Sequence, residues 1–121
     1  MATKMYGNAA KAFLNKEVDW DTDNIKVMLL TSGYTPNQDT HDYLDDVVAS
    51  EVSGTGYTAG GAVLAGKTVA YDAPTNTVKF DASDVTFGGS TITARYAVVY
   101  NDSPATNATK PLVAYYDFVT D

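Results

Sequence analysis

The chain has 121 residues, 45% hydrophobic and 19% charged, as expected for one globular domain and not for a disordered segment. Fifteen acidic residues against eight basic ones give a net charge of −7, which with a single arginine, Arg95, argues against nucleic-acid binding. Cysteine is absent, which excludes disulfides and thiolate chemistry, and we expect neither a signal peptide nor a membrane span.

The first predicted elements lie before residue 32. Residues 6–14 (YGNAAKAFL) contain helix-forming residues, but their alternating apolar positions also fit a strand, and both alternatives stay open. Residues 19–24 (DWDTDN) have the composition of a turn. Residues 25–31 (IKVMLLT) are rich in β-branched and aliphatic side chains and predict a strand.

A loop and a short helical segment are predicted next. Residues 32–40 form the loop, around Pro36. Residues 41–48 (HDYLDDVV) predict one or two helical turns, with Thr40 as the N-cap and acidic residues in the first turn.

Two hairpins and a last strand are predicted in the second half. Residues 68–71 and 78–81 flank a turn that contains Pro and Asn, and residues 85–87 and 91–100 flank Gly-Gly-Ser. Alternation over 91–100 places Tyr96, Val98 and Tyr100 on one face. A final strand over 112–119 has Leu112, Ala114, Tyr116 and Phe118 on one face.

Short strands separated by turn signals predict a mainly β fold, an antiparallel β-sandwich or jelly roll with one or two short helices. We expect residues 1–121 to form a single domain. Two interpretations of its last sheet stay open, namely that the chain lacks a final strand or that a partner's strand completes the edge.

The segment 51–61 (EVSGTGYTAGG) has four glycines and one tyrosine. It lacks the Gly-Lys-Ser/Thr of a phosphate-binding loop, and its glycine spacing does not match the dinucleotide fingerprint. We therefore predict an ordered structural loop that Tyr57 anchors in the core or against a neighbouring subunit.

No catalytic, cofactor or metal site is predicted. Asp19, Asp21 and Asp23 resemble the start of a calcium loop, but the glycine and glutamate that an EF-hand needs are missing. The single histidine, His41, lacks a nucleophile motif, and Glu17 with Glu51 lacks a flanking cleft. We expect a protein that is not an enzyme.

Five residues are predicted to make specific contacts. Arg95 lies among apolar neighbours and needs a partner, for which we predict Glu51 or an aspartate of 39–46 in a structural ion pair. Tyrosine combines an apolar ring with a polar tip, which suits interfaces. Tyr34, Tyr43 and Tyr57 lie in loop-like segments and are the interface candidates.

Four segments of the chain resemble a family of small tailed-phage virion proteins, catalogued as structural, head-decoration or tail-associated. They are YGNAAKAFLNKEVDWDTDNIKVMLLTSGYTPNQDTHDY, EVSGTGYTAGGAVLAGKTV, STITARYAVVY and PLVAYYDF, and they cover nearly the whole chain in the same order. The resemblance implies a virion component without catalytic activity. Members of that family often continue with one further strand.

The resemblance and the acidic charge together predict a capsid decoration (cement) protein. Repulsion from packaged DNA favours the outer surface of the head. Its expected partners are the major capsid protein and copies of itself, and we expect synthesis in the host cytoplasm. The alternative is a tail accessory or fibre module that binds a host surface glycan or protein, followed by a non-virion carbohydrate-binding β-sandwich.

Overall fold

The computed structural model describes residues 2–83, 85, 87 and 92–118. Most of the regular structure in these residues is antiparallel β-sheet, as predicted, with one α-helix. The elements are β1 (Ala2–Met5), α1 (Gly7–Leu14), β2 (Ile25–Leu30), β3 (Ala62–Val63), β4 (Thr68–Asp72), β5 (Thr77–Asp81), β6 (Tyr96–Asn101) and β7 (Leu112–Asp117). A five-stranded sheet has the order β1-β7-β6-β2-β3, and β4 and β5 form a separate hairpin.

The ambiguous segment after Met5 is a helix. Ala9 and Ala12 are buried and Phe13 packs against the core, while Leu14 is exposed, so α1 packs through its alanines and Phe13. It contacts β7 and ends where Lys16 adopts a positive φ of 61°. Strand β1 has no counterpart among the predicted elements; it pairs with β7 and leaves β1 and β3 as the edges of the sheet.

Strand β6 is the centre of the sheet, and all six of its residues are buried. The predicted alternation is correct for Tyr96, Val98 and Tyr100, which share one hydrophobic cluster. Val99 belongs to a cluster on the opposite face. The strand is shorter than the predicted range 91–100: it begins at Tyr96, and residues 92–94 are not in a strand. The turn of the predicted second hairpin, 88–90, lies outside the described residues.

A β-bulge changes the faces of β7. Val99 pairs with Ala114 but Tyr100 pairs with Leu112, so Val113 is an extra residue in the ladder. Leu112 consequently packs in the cluster that contains Tyr100, whereas Val113 and Ala114 pack on the other side. The prediction that Leu112 and Ala114 share a face is therefore wrong.

The predicted helical segment consists of two short 3₁₀ turns, Leu44–Asp46 and Val48–Ser50. Thr40 does not cap them. The carboxylate of Asp46 instead accepts hydrogen bonds from the backbone N–H groups of Asp42, at 2.9 Å, and Tyr43, at 3.5 Å. The Asp46 side chain thus accepts hydrogen bonds from backbone N–H groups at the start of the 3₁₀ turn, which have no acceptor within that turn.

Candidate interaction surface

The hairpin β4–β5 has one apolar face. Its register pairs Val69 with Phe80 and Tyr71 with Val78, and cross-strand partners share a face. Phe80 packs against the ring of Trp20, with centroids 4.9 Å apart. The other three residues are largely exposed: Val69 by 56%, Tyr71 by 62% and Val78 by 61%. Only one of the four apolar residues is therefore held against the body of the protein.

A groove of about 920 Å³ lies beside this hairpin. Its floor is the face of the five-stranded sheet that contains Val99 and Ala114, and Phe80 and the residues after it line one side. Three large apolar residues on its other side are 37–39% exposed, namely Met5, Tyr116 and Phe118. Asp81 is the one charged side chain among the described residues that line it.

Phe80 belongs to both features, so the hairpin face and the groove form one surface. We define the apolar surface as Met5, Val69, Tyr71, Val78, Phe80, Tyr116 and Phe118. Exposed aliphatic and aromatic residues are unremarkable when scattered, but a contiguous patch of this kind marks an interaction site. The sequence predicts this hairpin, but not that its apolar face stays open. The signal was the alternation of Val69 with Tyr71 and of Val78 with Phe80.

Tyr34 lies in the core and not at a surface. It is 4% exposed, and its hydroxyl hydrogen-bonds Tyr6 Oη at 2.7 Å and His41 Nδ1 at 2.9 Å. Burial raises the pKa of Tyr34 to about 12. The interface prediction for this residue is therefore corrected: its ring fills the core, and its hydroxyl joins a short polar chain that also includes the single histidine.

Tyr43 and Tyr57 are partly exposed, and their interface role stays a prediction. The Tyr43 hydroxyl donates to Glu17 Oε1 at 2.6 Å, and this bond raises the pKa of Tyr43 to about 12. Tyr57 packs against the cluster of Leu29, Val52 and Ala97. Neither tyrosine lines the groove.

The glycine segment is anchored by Tyr57, as predicted. The Tyr57 hydroxyl donates to Glu51 Oε2 at 2.7 Å and accepts from the backbone N–H of Leu29 at 3.2 Å. The backbone N–H of Gly60 also donates to Glu51 Oε2, at 2.7 Å. A Cβ at Gly61, whose φ is 86°, would lie 1.7 Å from the carbonyl oxygen of Val27. The glycines thus allow the loop to lie directly on β2.

Arg95 pairs with Asp117 and not with Glu51 or an aspartate of 39–46. Its Nε lies 2.7 Å from Asp117 Oδ1, and both side chains are roughly three-quarters buried. Asp117 is the register partner of Tyr96 on the neighbouring strand β7, which places it beside Arg95. The Glu51 carboxylate is instead directed to Tyr57 and Gly60.

Two acidic clusters lie in short turns of the chain. Asp19 and Asp23 hold their own turn through backbone N–H groups, and Asn101 Nδ2 donates to Asp23 Oδ2 at 2.7 Å. Asp42, Asp45 and Asp46 bring one carboxylate oxygen each within 4.8 Å of one another. Partial burial and the neighbouring Asp46 raise the pKa of Asp42.

A third ionic cluster joins β2 to the loop after β6. The Asp102 carboxylate lies 2.6 Å from Lys110 Nζ and 3.0 Å from Lys26 Nζ. Burial by itself would raise the pKa of Asp102, but the hydrogen bonds and charges of the two lysines outweigh it and lower the pKa. The cluster is a satisfied ion network, which stabilises the end of the sheet.

No family model matches the chain, and neither the curated proteins nor the solved structures contain a match to it. Within the described ranges, no helix is long and apolar enough to cross a membrane.

Proposed function

We propose that this chain is a virion structural protein, a decoration protein that binds the outer surface of a phage head in many copies and stabilises capsomer contacts. The observation that carries the proposal is the apolar surface. A small acidic domain that leaves six large apolar side chains exposed around Phe80 is suited to assembly, because covering them gains free energy from burial. The resemblance of the sequence to small phage virion proteins is the reason for proposing a phage head as that assembly.

The polar residues support the same proposal. His41 is bonded to a tyrosine hydroxyl, Asp102 to two lysines and Glu51 to the glycine loop. Each of these groups serves the fold. The net charge of −7 favours the outside of a DNA-filled shell over its inside, since like charges repel.

Quantitative proteomics of purified virions tests the proposal. A decoration protein is expected at hundreds of copies per particle, and heads that lack it should lose their DNA at a lower temperature. The matched control is the same phage with the gene restored in trans. Absence of the protein from virions would reject the proposal. A few to tens of copies, with adsorption lost on deletion, would establish the tail accessory module instead.

A further inference from the structure

We propose that the apolar surface is covered by a second copy of this chain, in a reciprocal dimer in which the hairpin β4–β5 of each copy lies across the groove of the other. The inference deepens the proposed function by naming a partner for its surface. It rests on the proposed function in one respect, namely that it uses the same apolar surface. Two copies can pair through that surface whether or not they are bound to a head.

The hairpin β4–β5 is largely exposed to solvent. Eight of the ten residues in β4 and β5 are exposed, the exceptions being Asp72 and Phe80. Val69, Tyr71 and Val78 share the face of Phe80 but, unlike Phe80, stay open to solvent, so the two-stranded ribbon holds few of its own apolar atoms against the body. A ribbon of two strands gains stability when a further layer packs on it.

The groove has the complementary property, because it is a recess that is apolar on both sides. Phe80 forms one side and Tyr116 and Phe118 the other, and the volume of about 920 Å³ is ample for two valines and one tyrosine. Projection and recess are joined at Phe80 in the same copy. A surface that carries both halves of a contact is self-complementary about a two-fold axis, the commonest symmetry of protein dimers.

The area is sufficient for a specific contact. A whole aromatic side chain presents roughly 150–250 Å². From the exposed fractions of Met5, Tyr116, Phe118 and the three hairpin residues, about 600 Å² per copy is open for burial. Complete coverage of this area in two copies would remove about 1,200 Å² in total, which is the lower end of the range for specific complexes.

The charges set the conditions for pairing. Each copy carries a net charge of −7, so two copies repel at long range. Asp81 is the one charged residue among those described that line the groove, so covering the surface desolvates little charge. Salt screens the long-range repulsion and leaves the apolar contact intact. The dimer should therefore become tighter as ionic strength rises, the opposite of a contact held by ion pairs.

A small apolar ligand explains less of the structure. It would fill the groove but leave Val69, Tyr71 and Val78 exposed, since these residues are not part of the groove lining. A second copy covers both parts at once.

Sedimentation equilibrium of the full chain over a concentration series tests the inference. We expect twice the 12.9-kDa chain mass, with tighter association at 0.5 M salt than at 0.05 M. Val78→Asp should weaken the dimer by about thirtyfold or more, as for a central interface residue. The matched control is Val63→Asp, an exposed strand valine on the other face of the sheet, which should leave the dimer unchanged. Circular dichroism verifies that both variants are folded.

The reciprocal geometry has its own test, because the chain has no cysteine. Copies with Val78→Cys, mixed with mass-labelled copies with Tyr116→Cys, should form the mixed disulfide in preference to either symmetric one. A chain that is monomeric at every concentration would overturn the inference, and so would a dimer that Val78→Asp leaves intact. A monomer abundant on heads would reject the inference alone. A dimer with this interface that is absent from virions would reject only the proposed function.

Discussion

The hydroxyl of Tyr57 donates to the carboxylate of Glu51 at 2.7 Å while it accepts the backbone N–H of Leu29 at 3.2 Å. Strand β3 pairs only with Lys26 and Val27, so the backbone donor of Leu29 has no strand partner on that side. A side-chain hydroxyl accepts this N–H instead, beside the bridge in which Glu51 pairs with Leu30. The Tyr57 hydroxyl thus ties the segment 51–61 to the sheet, together with the backbone bond from the Val52 N–H to the Leu29 carbonyl and the bond from the Tyr100 hydroxyl to the Gly60 carbonyl.

Removing that hydroxyl should destabilise the fold. Tyr57→Phe leaves the Leu29 donor without its partner and takes one donor from Glu51, and we expect a loss of about 1–3 kcal/mol in the free energy of unfolding. Thr77→Val is the control, because its exposed hydroxyl bonds the nearby carbonyl of Thr75 on the hairpin face opposite the apolar surface, and it should cost less than about 0.5 kcal/mol. Urea denaturation measures both. Equal midpoints for the two variants would show that the Tyr57 hydroxyl is dispensable.

Gly61 should tolerate no side chain. The Cβ of Gly61→Ala would overlap the carbonyl of Val27, which is backbone and cannot move aside cheaply, at a φ of 86° that is itself unfavourable. We expect a loss above about 3 kcal/mol. Gly33→Ala, where the nearest atom lies 3.4 Å away, should be nearly neutral. Thermal unfolding of the pair decides the point, and a Gly61→Ala protein as stable as the control would contradict the packing of this loop on β2.

The Asp102 cluster should make stability depend on acidity. The pKa of Asp102 is lowered in the folded protein, so its contribution is fully present above the ordinary aspartate pKa of 3.8 and is lost as pH falls through the lower folded value. Asp102→Asn should cost about 1–2 kcal/mol at pH 7. The difference from the unsubstituted chain should vanish under strongly acidic conditions.

Denaturant titrations from pH 7 to pH 2 measure this difference. Asp72→Asn is the control, since its partner Lys79 is 65% exposed and the pair should contribute less than about 0.5 kcal/mol. A deficit for Asp102→Asn that persists unchanged at pH 2 would refute the electrostatic origin.

Arg95 should couple to Asp117 and to no other acid of the predicted set. A double-mutant cycle with Arg95→Met and Asp117→Asn should give a coupling of about 0.5–1 kcal/mol, because the pair is partly buried and close. The matched cycle with Glu51→Gln should give none. Coupling to Glu51 of similar size would restore the original pairing and contradict the observed one.

Local patterns in the sequence were enough for several features. The hairpin at 68–81 was predicted from two short apolar runs around a Pro- and Asn-containing turn, and the faces of 96–100 from strict alternation. Both depend on residues that are close in sequence, whose geometry the backbone period determines. The anchoring role of Tyr57 likewise followed from one aromatic residue among four glycines.

The tertiary structure decided everything that depends on register between distant segments. The bulge at Val113 reversed the predicted face of Leu112, and the pairing of β6 with β7 gave Arg95 the partner Asp117 instead of Glu51. Tyr34 entered the core because Tyr6 and His41, from separate segments, meet its hydroxyl.

The sequence alone determined the class of the protein: a small acidic domain of antiparallel strands without cysteine, with one hairpin whose apolar residues alternate. Only the tertiary structure decided that this alternation stays open to solvent and continues into a groove at Phe80. The physical reason is that alternation specifies which side chains share a face but not what packs on that face. Coverage depends on where β1, β7 and the hairpin lie relative to the groove, and these elements are far apart in the chain.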